Sequence, residues 1–421
     1  MLKRHFSKYS FELLYAIYII AFLDSLLKTP LFGNKFRIEF FYLGFLILLW
    51  VLTKLQKGKS KILKVRRSEG FQVFWIFGLI FMYSLSMLSP QAEMTEWESL
   101  VLFLLVVLFT VHFCSYFNCL RALINIPYIL GLSFLVFQFV DRGMPIYRFT
   151  NISSIFFTQN GLRLREDFNF YHVNACGNLV YILLILSFFI LFFIKCSEFH
   201  KFACYFLVAL SDVFLINTLM LTNSRNSITG VMTFILVTLY YCISNSRKLN
   251  SKIRFFLKLI IVIAAVTVVI FNLATIYNLF FISNRLFNFS RNLPLLNTSW
   301  KKLFGLGMIN PGQYGAQSIW SSSYYVDNYY IYILLDFGIS GVIVIGTFLV
   351  LLGKGLHRNI KFLNNSEISI FAFALFVSQL VLGMGETCVI YPLFISSFMF
   401  LLISLSCYSI KNIKNCCNNG C

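Results

Sequence analysis

Long apolar runs alternate with short polar segments along the chain. Each run is roughly 20 residues long, the length that a helix needs to cross the hydrocarbon core of a bilayer. The runs are apolar at nearly every position, which favours helices over barrel strands, where apolar and polar residues alternate. We therefore predict about twelve membrane-spanning helices, at roughly 11–27, 38–53, 71–89, 98–117, 122–140, 173–194, 203–222, 228–243, 256–277, 329–352, 368–384 and 388–406.

The composition agrees with this pattern, because 59% of the residues are hydrophobic and only 12% are charged. A soluble globular protein carries about 25% charged residues. The predicted fold class is therefore all-α, a polytopic integral membrane protein in which residues 1–421 form a single membrane domain. The sequence contains no Walker A motif, no dinucleotide-binding glycine motif and no H-E-x-x-H motif. Energy for any reaction is expected to come from the substrate or from a gradient.

The basic residues predict how the chain is oriented in the membrane. With the N-terminus in the cytoplasm, cytoplasmic segments hold 23 of the 35 Lys and Arg residues, and outer segments hold the other 12. This asymmetry follows the positive-inside rule. It predicts that both termini are cytoplasmic and that the first helix is retained, not removed as a signal peptide. Topology and attraction to anionic lipids explain the net charge of +19, so no nucleic-acid partner is expected.

The 11 cysteines predict neither a disulfide framework nor a metal site, because no zinc-like spacing occurs among them. Most lie in the predicted helices or near the cytoplasmic face. Three lie in a short polar tail, at 416, 417 and 421, where reduced, solvated thiols are expected and acylation or metal binding is the alternative. No cofactor is expected either.

Two long outer segments depart from the positive-inside rule, at about 141–172 and 278–328. The arginines that we single out are Arg163 and Arg165 in the first segment and Arg285 and Arg291 in the second. Several guanidinium groups on one surface would form a pocket for a di-anionic group such as a pyrophosphate. The alternative is solvated surface charge, with the first two arginines paired to the neighbouring acids at 166 and 167.

Arg225 lies between two predicted spans, in the sequence Thr-Asn-Ser-Arg-Asn-Ser at 222–227. An ionisable residue at the edge of a membrane helix is a candidate functional residue. Its guanidinium group binds phosphate through parallel N–H donors and keeps its charge at any physiological pH. The alternative is an arginine whose side chain extends to the outer lipid head groups.

Two acids lie on the predicted outer side next to helix ends. Asp327 precedes the helix that begins near 329, where it is either an N-cap or a general base that orients and deprotonates an incoming hydroxyl group. Glu386 lies between glycine-rich helix ends at 383–387 and is a second candidate. Three further acids lie within apolar spans, namely Glu12, Asp24 and Asp212. Acids in such positions can line a path for protons or substrate, so a transporter remains an alternative interpretation.

The ordered motifs at 222–352 resemble the core of the O-antigen ligase and polymerase superfamily. Members share a Thr-x-Ser-Arg segment that opens a helix, found here at 222–225. An outer loop with Arg and Trp follows, here Arg291 and Trp300, and leads to a Gly-x-Gly turn at 305–307.

The second half of the resemblance follows that loop. Superfamily members have a His/Asp-Asn-x-Tyr junction, found here as Asp-Asn-Tyr-Tyr at 327–330, and then a helix with Gly-x-x-Gly, here at 338–341. Ligases usually carry His where this chain has Asp327, which favours the repeat-unit polymerase branch, the Wzy type of O-antigen or capsule assembly. The core of the resemblance covers about 203–352 within the chain.

The resemblance implies a membrane glycosyltransferase without a cofactor. It would move a growing glycan from undecaprenyl pyrophosphate onto a new lipid-linked repeat unit, at the outer face of a bacterial inner membrane. Arg225 and Arg291 would stabilise the pyrophosphate leaving group, and Asp327 would orient or deprotonate the acceptor. The expected substrate-binding residues are Arg285, Arg163, Arg165, Asn328, Tyr329 and Glu386. Expected partners are the bilayer and a flippase and a chain-length regulator of the same pathway.

Three alternatives remain beside the polymerase, and one of them, a structural membrane component without an active site, is disfavoured by the ordered motifs. An O-antigen ligase would perform the same chemistry with a lipid A-core acceptor, and Asp327 argues against it. A flippase would move the lipid-linked unit without chemistry, and it is expected to have two similar halves and a charged central cavity. The arginine-bearing outer loops, and the lack of an internal repeat, favour an enzyme.

Overall fold

The structure is a computed structural model, and it describes residues 2–31, 35–55, 67–89, 92, 94–147, 165–193, 198–246, 250–271, 293–307, 328–362 and 367–409. These residues form α-helices and one short 3₁₀ turn, without a β-strand. The predicted all-α class is confirmed for this part of the chain. The helices are α1 (Leu2–Asp24), α2 (Lys35–Leu55), α3 (Arg67–Ser86), α4 (Met94–Phe117), α5 (Leu120–Asp141), α6 (Val173–Phe193), α7 (Glu198–Thr222), α8 (Arg225–Asn245), α9 (Ser251–Phe271), α10 (Ser299–Phe304), α11 (Tyr329–Phe362), α12 (Glu367–Leu382) and α13 (Ile395–Ser409).

Six of these helices are long and apolar enough to cross a membrane, judged by length and composition. They are α4, α5, α6, α8, most of α7 (Lys201–Thr222) and most of α11 (Tyr329–Ile360). Shorter apolar stretches lie within α2, α3, α12 and α13. The membrane character predicted from the sequence agrees with these helices. The figure of about twelve spans and the sidedness of the loops stay predictions.

Helix α13 lies at the centre of the bundle. Its residues from Ile395 to Cys407 are buried, and it packs against α3, α4, α6, α11 and α12. Helix α6 is buried along nearly its whole length as well. Neither helix contains a charged residue, which suits a helix that is surrounded by other helices.

Aromatic rings fix α13 against the N-terminal helices. The ring of Phe398 in α13 lies 6.4 Å from Tyr15, 5.4 Å from Tyr18 and 6.3 Å from Phe22, all in α1, and 6.3 Å from Phe103 in α4. Offset and edge-on ring pairs at these centroid distances add to the stabilisation from burial alone. The abundant phenylalanine of this chain therefore has a packing role at its centre.

Helix α11 is broken at Gly338, whose backbone has φ 64° and ψ −161°. The break leaves carbonyl groups of the preceding turn without helical partners, and such groups need other donors in an apolar interior. The Gly-x-Gly turn after α10 supplies them. The N–H of Leu306 donates to the carbonyl of Leu335 at 2.8 Å, and the N–H of Gly307 donates to the carbonyl of Asp336 at 3.1 Å.

Two glycines permit this close contact. Gly305 has φ 81° and ψ −168°, and both it and Gly338 lie in a backbone region that is essentially restricted to glycine. A Cβ atom on Gly305 would lie 2.2 Å from the carbonyl carbon of Asp336, and one on Gly338 would lie 2.5 Å from that of Leu303. The two glycine motifs of the sequence therefore meet in one backbone contact.

The connection between α12 and α13 differs from the sequence-based expectation. The predicted spans at 368–384 and 388–406 indicate either a tight hairpin or one long broken helix, whereas the helices end at Leu382 and resume at Ile395. A tight hairpin is wrong, because residues 383–394 form a longer non-helical segment of turns and bends. Gly383, Gly385 and Pro392 disfavour helix within it, and side chains from other helices bind its backbone groups.

Alanine at either motif glycine is expected to destabilise the protein. Gly305→Ala and Gly338→Ala each add a Cβ atom in a glycine-only conformation, at a cost of about 1–3 kcal/mol before any backbone clash. We expect a lower midpoint of thermal unfolding in detergent, measured by labelling of buried thiols during heating. The matched control is Gly346→Ala in α11, where a Cβ atom would meet no other atom within 4 Å and where alanine favours helix. Equal midpoints for all three variants would contradict the contact.

Candidate functional site

Three asparagine side chains converge on the first part of the non-helical segment. We call Asn174, Asn226 and Asn328 the asparagine clamp, because each lies at the N-terminal end of a different helix and donates an amide hydrogen bond to residues 384–386. Asn226 Nδ2 donates to the carbonyl of Gly385 at 2.6 Å, and Asn328 Nδ2 donates to that of Met384 at 2.8 Å. Asn174 Nδ2 donates to Oε1 of Glu386. The clamp joins α6, α8 and α11 at one end of the bundle.

Asn328 has two functions in this arrangement. Its Oδ1 accepts the backbone N–H groups of Tyr330 and Ile331 at 3.0 and 3.1 Å, so it caps α11. The N–H of Tyr329 donates to the carbonyl of Gly383 at 2.9 Å, and the Tyr329 side chain is buried. The start of α11 is therefore bonded to the segment through side chain and backbone together.

Arg225 is the first residue of α8, which begins three residues before the predicted span at 228–243. Asn223 and Ser224 alone form the turn from α7, and Asn223 has a left-handed φ of 49°. Arg225 is half-buried and precedes Asn226 of the clamp. A Cβ atom on Gly385 would lie 2.1 Å from Asn226 Oδ1, so this glycine lets the segment approach α8 closely.

Arg165 lies against the same turn. Its Nη2 donates to the carbonyl of Asn223 at 3.4 Å, and the N–H of Glu166 donates to the carbonyl of Leu221 at 3.1 Å. The segment at 141–172 therefore places Arg165 against Asn223, which is two positions before Arg225 in the sequence.

Glu386 is nearly buried, with 6% of its surface exposed. It lies between the clamp residues, bound by Asn174 of α6. The backbone N–H of Asn174 in turn donates to Nδ1 of His172 at 3.1 Å. Glu386 is thus the carboxylate, among the described residues, that the clamp binds directly.

A charged network attaches the 165–170 segment to α1 and α5. Asp167 accepts a hydrogen bond from Lys28 Nζ at 2.6 Å and lies 3.3 Å from Arg142 Nη2. Asn169 Nδ2 donates to Gln138 Oε1 at 3.0 Å. Partial burial acts to raise the pKa of Asp167, but the Lys28 hydrogen bond, the N–H of Asn169 and the two positive charges outweigh it and lower that pKa below 3.8. The network fixes the segment that carries Arg165.

Four of the predicted site residues lie outside the described residues, namely Asp327, Arg291, Arg285 and Arg163. Of the five that are described, Asn328 and Tyr329 bind the 383–386 segment, and Glu386 belongs to it. Arg165 binds the turn before α8, and Arg225 is the first residue of that helix. Their individual roles stay predictions. Sequence reasoning missed Asn174 and Asn226, and the available signal was a polar amide in the first turn of an otherwise apolar helix.

The segments that meet here share one predicted side. Leu27 forms a bridge with Phe170, and the backbone of Gly307 lies close to Ala92, where an added Cβ atom would be 2.6 Å from the alanine side chain. The sequence assigns these segments, and those at 222–227 and 383–387, to the outer side. In the described part of the chain, no three His, Cys, Asp or Glu side chains come together that could hold a metal ion. The described polar side chains at this end include guanidinium, carboxamide, carboxylate and imidazole groups.

The carboxamide of Asn226 is expected to stabilise the fold. Asn226→Ala leaves the buried carbonyl of Gly385 without this donor, which costs about 1–3 kcal/mol. Asn226→Asp is expected to give no rescue, because it presents an acceptor to another acceptor. The measurement is thermal unfolding in detergent, with the exposed Asn297→Ala as control. A midpoint for Asn226→Ala that equals that of the control would contradict the clamp.

Asp167→Asn is expected to lower the free energy of unfolding by less than about 1 kcal/mol at neutral pH, because the ion pairs of Asp167 with Lys28 and Arg142 are partly exposed. The folded-state pKa is the lower one, so the contribution is fully present above the unfolded value of 3.8 and is lost as the pH falls through the folded value. Unfolding midpoints of the two proteins should differ by a constant amount from about pH 8 to pH 5, begin to converge below about pH 4 and become equal only below the folded-state pKa. Convergence at high pH instead would contradict the assigned pairing.

Comparison with known proteins does not assign this chain to a family. No protein-family model matches the chain, and no curated protein matches it. The resemblance to O-antigen ligases and polymerases therefore rests on the short ordered motifs at 222–352 and on the residues that they place at this end of the bundle.

Proposed function

We propose that the protein is an integral-membrane glycosyltransferase that polymerises oligosaccharide repeat units. It transfers a growing glycan from undecaprenyl pyrophosphate to the end of a new lipid-linked unit, at the outer face of the inner membrane. The observation that carries the proposal is the placement of these polar groups at one end of an apolar bundle. Asn328 binds the segment that contains Glu386, and Asn226, the neighbour of Arg225, binds the same segment. Arg165 binds the turn that precedes Arg225. In a membrane-spanning bundle, the ends of the helices lie near the interface between lipid and water, where a lipid-linked substrate would be bound.

The start of α8 supports an anion site beside Arg225. The hydroxyl of its N-cap residue, Ser224, pairs with the Ser227 hydroxyl at 3.0 Å and makes no capping bond to the helix. By contrast, Asn328 caps α11. First-turn N–H groups of α8 and the helix dipole therefore add to the guanidinium charge. A pyrophosphate leaving group gains charge as its bond breaks, so these donors would act most strongly in the transition state.

We place the acceptor hydroxyl group near the start of α11. Asp327, the carboxylate that the resemblance favours, precedes Asn328, and Asn328 is bonded to the segment that carries Glu386. In the proposed reaction, the leaving group binds beside α8 and the acceptor binds beside α11, and residues 383–386 lie between these two helix starts. A ligase would use the same leaving group, and a flippase would need no transfer chemistry, so glycan products separate the three functions.

Arg225→Ala is expected to abolish polymer formation while the protein remains in the membrane. Loss of an electrostatic donor to a leaving group costs about 100- to 1,000-fold in rate. Arg225→Lys should restore a part of the activity, because lysine keeps the charge but not the paired donors. The readout is the length distribution of glycans made by a deletion strain that carries each variant.

The matched control for this experiment is Arg121→Ala. Arg121 also lies in the first turn of a helix, α5, but it is exposed and lies in the turn after α4. Polymer of normal length is expected from the control. Normal polymer from Arg225→Ala at equal protein level would rule out the proposed role of Arg225.

A further inference from the structure

A carboxyl group lies in the middle of the apolar helix α7, away from the candidate site. Asp212 precedes the end of this helix, Thr222, by ten residues, or about 15 Å along the helix axis. The membrane-spanning part of α7 begins at Lys201, so Asp212 lies near its centre. An ionisable residue at this depth is costly in a membrane helix and indicates a function.

Hydroxyl groups of two neighbouring helices lie next to Asp212. Its carboxyl group shares a hydrogen bond with the hydroxyl of Ser187 in α6, and its Oδ1 is buried. Tyr128 of α5 interacts electrostatically with it, and the Tyr128 hydroxyl lies 2.5 Å from Oγ of Ser211. Among the described residues, no hydrogen-bond donor reaches Oδ1 and no cation pairs with this carboxyl group.

The hydroxyl of Ser187 is already used as a donor. Its Oγ donates to the carbonyl of Leu184 at 2.7 Å. A hydroxyl group has a single hydrogen, so in this arrangement Ser187 can only accept a hydrogen bond from Asp212. A carboxyl group donates only when it carries a proton. The pattern of donors therefore fits a neutral Asp212.

The hydroxyl of Tyr128 is used as a donor as well. Oγ of Ser211 donates to the carbonyl of Val208 at 2.7 Å, so the hydrogen between Tyr128 and Ser211 comes from Tyr128. The hydroxyl groups beside Asp212 thus supply no donor to an ionised carboxylate.

An ionised Asp212 would be poorly compensated at this place. If the Ser187 hydroxyl turned toward the carboxylate, one neutral donor would have to replace the hydration of a full charge. Burial of a charge is unfavourable without a countercharge or a full set of hydrogen bonds. In the neutral acid, Oδ1 is a carbonyl oxygen, and leaving such an atom unpaired costs much less. The neutral form is therefore the more stable one within this helix packing.

We propose that Asp212 is a proton-binding site within the membrane and that its carboxyl group is neutral while α7 is packed against α5 and α6. The ligand is a proton, and the inference does not depend on the proposed polymerase function. Release of the proton would leave a charge between packed helices, so it requires entry of water or movement of α7. Because α7 leads into the turn before Arg225, proton release would be linked to the position of that turn.

Other titratable groups near α7 differ from Asp212 in type or in position. The titratable and charged groups of the two helices packed against it here are Arg121, Tyr128 and Asp141 in α5 and Cys176 and Tyr181 in α6. Tyr128 interacts electrostatically with Asp212, and tyrosine ionises near pH 10. Within α7, the nearest such group is Tyr205, about two helical turns away. The segments at 141–147 and 165–172 contact α7 at Asn217 and Leu221, more than one helical turn beyond Asp212.

The test is infrared difference spectroscopy of the purified full-length protein in phosphatidylcholine vesicles, with the same pH on both sides. The spectrum of the wild-type protein minus that of Asp212→Asn should contain the C=O stretching band of a neutral carboxylic acid at about pH 7, and the band should disappear as the pH rises. The amide of the substituted side chain keeps a donor for Ser187, so we expect the fold to be retained. Asp141→Asn, which removes an exposed carboxyl group at the end of α5, is the control. It should show no acid band at about pH 7, because a solvated aspartate is ionised there.

Two results of the infrared experiment would overturn the proposal. One is the absence of the acid band at about pH 7, which would mean that Asp212 is ionised. The other is a band unchanged up to about pH 10, which would mean that the proton is not released. If Asp212→Asn does not fold, labelling of the wild-type protein with dicyclohexylcarbodiimide, an apolar reagent for protonated carboxyl groups, decides the question. At about pH 7 we expect at least about 10-fold more label on Asp212 than on Asp141, and equal labelling would contradict the proposal.

Discussion

Every backbone N–H and C=O group inside an apolar bundle needs a hydrogen-bond partner, and this constraint governs the structure. Helices meet it internally, but in the described residues the backbone leaves helical geometry at the break in α11 and at the 383–386 segment. At the break in α11, the N–H groups of Leu306 and Gly307 bind the freed carbonyls. At the 383–386 segment, the side chains of Asn226 and Asn328 do so. Both interruptions are closed by residues that are distant in sequence.

The residues that close these interruptions also position the charged groups. Arg225 precedes Asn226, and Glu386 follows the carbonyl that Asn226 binds. The same hydrogen bonds therefore stabilise the fold and set the geometry of the candidate site. Rigid helix ends, fixed against a central α13, hold such groups more accurately than a free loop would.

Sequence patterns predicted what depends on local chemistry. Apolar runs of spanning length gave the helices, and the polar turn before Arg225 gave the start of α8. The tight hairpin expected after α12 was wrong, because the non-helical backbone from Gly383 onward is stabilised by side chains of other helices. Asn226 binds a carbonyl 159 residues away, and nothing in the local sequence around either partner reveals that pairing.

Some residues of the candidate site could be predicted from the sequence, and others became visible only in the structure. Arg225, Asn328 and Glu386 stood out because charged and polar groups are rare in an apolar chain. Asn174 did not stand out, since an amide in the first turn of a helix is ordinary without knowledge of its partner. Asp336, fully buried beside the break in α11, was hidden in an apolar span. Its carbonyl pairs with Gly307, and that contact exists only once α10 packs against α11.

The glycan profile of a deletion strain tests the proposed function most directly. Lipid-linked and acceptor-linked glycans are separated by gel electrophoresis and carrier extraction. The polymerase proposal predicts a single repeat unit attached to the normal acceptor. Full-length polymer retained on undecaprenyl pyrophosphate beside a bare acceptor would contradict it in favour of a ligase, and single units confined to the cytoplasmic leaflet would contradict it in favour of a flippase.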